Sequence, residues 1–523
     1  SNWVRLVTLW HEAVRLANGV FNPPNAAAEN GDEQPAKKRK LDSPKYQHLR
    51  QRWESFATQL GDFEAQVSQG DAKFAFAFVQ GKIVRALRNG EWVLLDEVNL
   101  ASPDTLENIA SLLHHGSEGA PSVLLSEAGD VERVFGHPEF RIFGAMNPAT
   151  DAGKRDLPPG LRSRFTEFYV HSPDSDLDDL LALIQKYLGD LTISDQRAVP
   201  DLAQLYMVTK KLSNENKLTD GAGQRPHFSI RTLVRALIYV IDHAHVYGLR
   251  RAMFEGFSMS FLTVLSLVSE RALIPLLELH IFGNAKNARS LLGQTPRPPT
   301  DGNDYVQFKH YWMRRGPMVP EEQPHYIITP FIEKNLKNLV RASSTRRFPV
   351  LLQGPTSAGK TSMIEYLAKV SGNKFVRINN HEHTDLQEYL GSYVSTDDGS
   401  LRYQEGVLVE ALRNGYWIVL DELNLAPSDV LEALNRLLDD NRELFIPETQ
   451  EVVHPHPNFM LFATQNPAGL YGGRKVLSRA FRNRFLELHF DDIPESELEF
   501  ILKERSQIAP SFCTRIVAVY RKL

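Results

Sequence analysis

Gly354-Pro-Thr-Ser-Ala-Gly-Lys-Thr-Ser362 stands between the apolar run Phe348-Pro-Val-Leu-Leu352 and the helix-forming Met363-Ile-Glu-Tyr-Leu367. The string fits GxxxxGK[ST], a phosphate-binding loop, and its setting of strand, loop and helix is the one that pattern requires. Gly354 and Gly359 let the backbone curl until its N–H groups point inward at an anion. Pro355, Thr356, Ser357 and Ala358 complete the cradle, and the helix that follows turns its positive dipole end to the same place. Lys360 reaches the β/γ-phosphates, the Thr361 hydroxyl can ligate Mg²⁺, and Ser362 closes the loop. A parallel α/β sheet that binds a nucleoside triphosphate is therefore expected.

The surrounding chain sets limits. A length of 523 residues calls for three or four structural units. The apolar fraction of 42% and charged fraction of 24% are those of a folded protein, and a net charge of −5 gives no global attraction to nucleic acid. No apolar stretch is long enough to span a bilayer, and the opening residues lack the zones of a signal peptide. Cys513 is the only cysteine, which excludes an intrachain disulfide and a thiolate metal cluster. A soluble intracellular protein without membrane contact is the expectation.

The chain also repeats itself. Val84-Arg-Ala-Leu-Arg-Asn-Gly-Glu-Trp-Val-Leu-Leu-Asp-Glu-Val-Asn-Leu100 matches Val409-Glu-Ala-Leu-Arg-Asn-Gly-Tyr-Trp-Ile-Val-Leu-Asp-Glu-Leu-Asn-Leu425. Phe143-Gly-Ala-Met-Asn-Pro-Ala149 parallels Phe462-Ala-Thr-Gln-Asn-Pro-Ala468, and Leu161-Arg-Ser-Arg-Phe165 parallels Phe481-Arg-Asn-Arg-Phe485. Blocks in one order at nearly constant offset mean a duplicated domain, with a period too long for a solenoid. The first copy has no glycine cradle where the second has one, and Asn22 to Pro44 is polar instead. Either this copy has lost nucleotide binding, or the chain begins after its P-loop; intact positions elsewhere in the copy favour the latter.

Apolar spacing predicts helices over Ser175 to Leu191, Asp201 to Leu212, Ile230 to Tyr247 and Phe257 to Phe282, an all-helical unit after the first core. Gln294 to Pro324 reads as a linker with short irregular elements, Tyr326 to Thr329 as a short strand, and Pro330 to Ala342 as a helix. Hairpins are expected over Tyr389 to Tyr403, turning at Asp397-Asp-Gly399, and over Leu444 to Val453.

Asp421 and Glu422 close the buried strand Trp417-Ile-Val-Leu420, at the sheet edge where open α/β folds bind ligands. Asp421 is expected to hold magnesium, directly or through water, and Glu422 to polarise the attacking water. Asn466 ends the apolar strand Phe459-Met-Leu-Phe-Ala463 and is suited to the γ-phosphate or that water. Arg482 and Arg484 are suited to developing phosphoryl charge, or equally to structural ion pairs at a helix end.

The order of P-loop, Asp-Glu-Leu-Asn, Thr-Gln-Asn-Pro and Arg-Asn-Arg-Phe resembles the AAA+ ATPase core, in the branch with several modules on one chain. Val376-Arg-Ile-Asn-Asn-His-Glu-His-Thr-Asp385, Leu431 to Glu443 and Gly469 to Phe485 extend the resemblance to the midasin family of dynein-related ribosome-assembly ATPases. It implies two AAA+ modules in tandem, the first without its P-loop portion and the second without most of its lid. The implied divisions are 1–50, an insertion or partial element; 51–175, a first core; 176–293, its helical lid; 294–325, a linker; 326–490, the second core; and 491–523, the start of a second lid. Six such modules would form a ring. Arg482 or Arg484 would then face the nucleotide of the first module, in which Asp96 matches the metal-binding position. Glu97 and Asn147 match the catalytic positions, Arg162 or Arg164 the finger, and Arg231 a lid sensor.

The resemblance further implies ATP and Mg²⁺ as ligands and the other modules of the polypeptide as partners. It also implies work on pre-ribosomal large-subunit particles and their assembly factors, with no direct nucleic-acid contact from this stretch. The basic run Lys37-Lys-Arg-Lys40 reads as a nuclear import signal or as a solvated loop, and the resemblance favours the nucleus, both nucleolus and nucleoplasm. Slow turnover is expected of the isolated chain. A dynein-type motor ring and a non-hydrolysing nucleotide scaffold are the alternatives, although no stalk-like heptad run is present.

Overall fold

The computed structural model describes residues 9–17, 49–50, 52–53, 56–58, 60–61, 80–114, 119–125, 133–147, 156–395, 401–467 and 477–522. Two compact bodies result, Ser1–Glu167 and Phe168–Leu523. The polar segment with Lys37 to Lys40, the turn at Asp397 to Gly399 and the stretch 468–476 lie outside the described residues.

The first body carries the first core. Strands β1 (Trp92–Leu95) and β4 (Arg141–Gly144) pair in parallel, and β2 (Ser122–Leu124) with β3 (Arg133–Phe135) forms a hairpin. The helix Lys82–Asn89 stops at Gly90, whose φ of 75° supplies the left-handed cap. Trp92, Leu94 and Phe143 are exposed on one face of the strand pair.

In the second body, the antiparallel hairpin of β5 (Tyr305–Phe308) and β6 (Tyr311–Arg314) precedes the second core. The core sheet is built from β7 (Val350–Gln353), β8 (Phe375–Asn379), β11 (Trp417–Asp421), β14 (Met460–Gln465) and β15 (Leu486–His489). Its order is β15-β7-β14-β11-β8, and all its pairs are parallel. Strands covered on both faces must be apolar throughout, and every residue of β11 and β14 is buried. Trp417, Val419 and Phe462, the counterparts of Trp92, Leu94 and Phe143, are buried in a cluster with residues of the helices Pro330–Ser344 and Lys360–Val370. The expected hairpins appear as β9 (Gly391–Ser395) with β10 (Leu401–Glu405), and β12 (Leu444–Ile446) with β13 (Glu451–Val453).

The helical unit differs from its expected outline in one place. Helices run over Leu177–Leu188, Ala198–Asn214 and Ile230–Tyr247, but the stretch from Phe257 to Phe282 is broken. The helix Leu249–Phe257 passes into a π-turn, Ser258–Leu262, and a new helix, Leu267–Phe282, begins at Ser266, whose side chain accepts from the Ser269 N–H. Apolar periodicity runs through that break because both sides face one core. Two further expectations are corrected. Tyr326 to Thr329 is not a strand, since Thr329 is extended only to cap Pro330–Ser344. The supposed linker is ordered around β5 and β6, which bury Phe308, Tyr311 and Met313 in the second core's cluster.

Helical unit and second core form a single body. Arg235 of the helix Ile230–Tyr247 donates to the carbonyls of Phe485 and Asn483 at 2.6 and 2.7 Å. The His489 N–H donates to Thr263 O at 2.7 Å, and Thr263 Oγ1 donates to Glu487 O at 2.8 Å, so the unit is tied to the β15 edge. Gly221 lies so close that a Cβ there would stand 1.9 Å from the His489 ring. The buried Glu255 carboxylate joins Arg341 Nε at 2.5 Å and Tyr311 Oη at 3.0 Å, linking the unit to the hairpin and to Pro330–Ser344.

Candidate functional site

Neighbouring strands β7, β14 and β11 release their carboxyl ends side by side. Gly354, Asn466 and Asp421, distant in sequence, converge for that reason, at the sheet edge where parallel α/β folds take ligands.

The P-loop has the geometry its sequence requires. Gly359 has φ 80° and Ser357 φ 67°, and the helix Lys360–Val370 starts without a side-chain cap, leaving its first turn suited to an anion. At Gly354 a Cβ would meet Phe490 O at 2.4 Å, so only glycine fits. Lys360 is buried, and its Nζ donates to Gly354 O at 2.9 Å, Pro355 O at 2.7 Å and Asn466 Oδ1 at 2.8 Å. Ser362 Oγ turns back to Gly359 O at 2.9 Å, whereas Ala358 is buried beneath the loop.

Thr361 Oγ1 donates to the Asp421 carboxylate at 3.2 Å, and Asn466 Nδ2 donates to Glu422 Oε1 at 3.0 Å. Glu422 has φ 51° and ψ 46°, a left-handed conformation costly for a residue with a Cβ, and it turns the chain sharply off β11 into the short helix Leu423–Leu425. The first core repeats this, with Glu97 at φ 50° and ψ 41° after β1. There the Glu97 N–H donates to Asp96 Oδ1 at 2.9 Å, and Asn99 Nδ2 donates to Asn147 O at 3.0 Å. Asn424 Nδ2 donates likewise to Asn466 O at 3.1 Å.

Oxygen donors from a hydroxyl and a carboxylate, beside a cradle of N–H groups and an ammonium, fit a magnesium-bound triphosphate. Among the described residues no group of three or more His, Cys, Asp or Glu suits a protein-only metal site.

The arginines have carboxylate or carbonyl partners in their own cores. Arg482 forms a bidentate pair with Glu487 at 3.1 and 2.7 Å, and Arg162 pairs with Glu167 in the same way at 2.8 and 2.6 Å. Arg484 Nε donates to Asp439 Oδ1 at 2.5 Å, and Arg164 Nη1 to Ala110 O at 2.9 Å. Arg231 is exposed in the first turn of Ile230–Tyr247, in the body that also holds the second core.

Several site residues were not singled out from the sequence. Thr464 Oγ1 donates to Asp421 Oδ1 and accepts the Glu422 N–H at 3.0 Å, fixing the Asp421 carboxylate and the Glu422 backbone from β14. Its signal is a threonine in an otherwise apolar stretch. Arg377 of β8 makes an ion pair with Asp421, and Asn380 Nδ2 donates to the Asp421 carbonyl at 2.9 Å. Their signal is weaker, since only strand order brings β8 beside β11.

Residues 49–165 and 349–485 each match the AAA domain of the dynein-related subfamily, and residues 179–284 match the midasin AAA lid domain. The midasin of Dictyostelium discoideum is 51% identical over 487 residues, 91% of this chain. The chain belongs to the midasin family. A second midasin, from Giardia intestinalis, is 39% identical over 86% of the chain. The denitrification regulatory protein NirQ of Stutzerimonas stutzeri is 30% identical over 36% of this chain and 68% of its own length. This chain spans 8% and 10% of the two midasins. The two matches to one domain establish the duplication, and the lid match falls on the helical unit between them. Midasin membership makes this a chain of AAA+ ATPase type.

Proposed function

We propose that the second module of this chain binds ATP with magnesium and hydrolyses it. The convergence of Lys360, Thr361, Asp421, Glu422 and Asn466 at three adjacent strand ends carries this reading. Lys360 and the N–H groups of the loop would hold the phosphates, and Thr361 and Asp421 the cation. When bound, the metal supplies positive charge against the phosphate oxygens. Glu422, held by Asn466, would take a proton from the attacking water. Asp96, Glu97 and Asn147 would serve the first module in the same roles.

The parent protein, in this reading, couples hydrolysis to motion between cores and lids and so remodels pre-ribosomal large-subunit particles, releasing assembly factors in the nucleus. Support comes from the midasin relationship, and the basic run Lys37 to Lys40 fits a nuclear address. Arg482 or Arg484, once released from Glu487 or Asp439, would act as a finger on the nucleotide of a neighbouring module in the parent. The second module would depend on a finger from elsewhere in the parent, so the isolated chain should bind ATP and turn it over slowly.

The test is Glu422→Gln in the intact parent with the other active modules silenced. Nucleotide affinity should persist while turnover falls by about 100-fold or more, the usual weight of a general base. Equal turnover would remove Glu422 from that role and favour a nucleotide scaffold. Fast hydrolysis by the isolated chain would remove the need for a finger in trans.

A further inference from the structure

A cavity of about 460 Å³ lies where the helical unit, the β5–β6 hairpin and the second core meet, and no residue of the P-loop lines it. Arg314, Arg346, Arg347 and Arg442 line it, with Asp242 and Asp301. We propose that this cavity is a binding site for a phosphate oxyanion.

The charge balance is the first argument. Arg347 is already paired with Asp242, Nη2 to Oδ1 at 2.9 Å. Asp301 is occupied by Tyr305 Oη at 2.7 Å and Asn303 Nδ2 at 2.9 Å. Among the described residues Arg314, Arg346 and Arg442 have no carboxylate within ion-pair distance. Three guanidiniums thus face one remaining carboxylate, an excess that a dianion would balance.

The second argument is that the arrangement is held in place. Arg346 is 9% exposed, and its Nη1 and Nη2 donate to Asn458 Oδ1 at 2.5 Å and to Arg314 O at 2.8 Å. Arg442 Nη1 donates to the Arg346 carbonyl at 3.0 Å. Both residues are left-handed, with φ of 52° and 47°, a conformation that a long side chain adopts only when its surroundings impose it. Packing like charges in this way has a cost that shows in their acidity. Burial, aided by the Arg314 charge, pushes Arg346 down to about 10, and burial with Arg347 lowers Arg442. Planar guanidiniums lining one cavity suit the oxygens of phosphate better than a single carboxylate.

The site is independent of the ATPase reading and is tested with the P-loop disabled. In the full 523-residue chain carrying Lys360→Ala, inorganic pyrophosphate and a short single-stranded RNA are titrated by calorimetry at fixed ionic strength. Arg314→Gln and Arg442→Asn are then added together. Arg346 keeps its bonds to Asn458 and to the Arg314 carbonyl in this variant, which gives up only the bond from Arg442 to the Arg346 carbonyl, and asparagine tolerates the left-handed backbone. Pyrophosphate binding that weakens about tenfold or more in the double variant, with melting temperature nearly unchanged, is the expected result. Tighter RNA binding lost through the same pair would assign the phosphate to a nucleic-acid backbone, and tighter pyrophosphate binding to a small phosphate ester. Affinity unchanged by the pair, or no binding of either probe, would overturn the proposal.

Discussion

Asp421 and Glu422 are adjacent in sequence but differently constrained. Asp421 accepts from Thr361 and Thr464 and pairs with Arg377, whereas Glu422 is thrown into the left-handed region and met by Asn466. One Asp-Glu dipeptide can thereby aim one carboxylate at the P-loop threonine and the other along the sensor strand. Thr464 ties the two together, because its hydroxyl serves both. Thr464→Val keeps the shape and removes the hydroxyl. Turnover in the active assembly should fall about tenfold, the cost of one lost charge-assisted hydrogen bond, while nucleotide affinity measured by titration changes by less than about threefold. Gly354→Ala should act in the opposite way. Its Cβ would meet Phe490 O at 2.4 Å, displacing the cradle itself, so nucleotide affinity should drop by about 100-fold with far-UV circular dichroism unchanged.

The elements show why strand and helix patterns were readable to different degrees. β7, β11 and β14 are short apolar runs bounded by turn residues, and they lie within two residues of their expected bounds. The break between Phe257 and Leu267 was not visible, since the π-turn and both flanking helices bury residues on the same face. Polar anchoring inside the helical unit was equally hidden. Asp174 accepts from Tyr206 Oη at 2.5 Å and from Lys210 and Ser172. Burial alone would raise its carboxyl, but Lys210, Ser172 and Tyr206 reverse the shift and hold it below the ordinary value of 3.8. A carboxyl lowered in the folded state contributes stability above its unfolded value and loses it as pH falls through the folded one. Asp174→Asn should therefore cost about 3 kcal/mol near neutrality, with a smaller penalty below about pH 4, read from denaturation midpoints across pH.

At the scale of the whole molecule, the helical unit and the second core share one body, whereas the unit is expected from its place in the chain to be the first module's lid. Part of the link goes to backbone, with Arg235 on two carbonyls and β15 tied to Thr263, beside the Glu255–Arg341 pair. Burial, assisted by Arg231, pushes the Arg235 guanidinium down to about 10, so its attachment carries a desolvation cost that the two carbonyls offset. Arg235→Ala should loosen this junction selectively. Hydrogen exchange should speed up about tenfold or more over 483–489, while exchange in the helix Lys360–Val370 and nucleotide affinity stay as they were. Uniform change across the second core would mean that Arg235 supports the core fold instead of the junction.

The nucleotide loop, the duplication, the carboxylates at the end of β11 and most core strands were legible in the amino-acid sequence by itself, because each depends on neighbours along the chain: glycine spacing, a short apolar run, a polar residue at a strand exit. Strand order decided the rest. It set β8 beside β11, which brought Arg377 to Asp421, and β14 between β7 and β11, which put Thr464 and Asn466 over both. Docking of the β5–β6 hairpin and of the helices gathered Arg314, Arg346 and Arg442, scattered through the sequence, around one cavity. A local pattern reports how a segment meets water and its own backbone, whereas the partner of a charged side chain is set by closure of the sheet and docking of the helices, which join residues hundreds of positions apart.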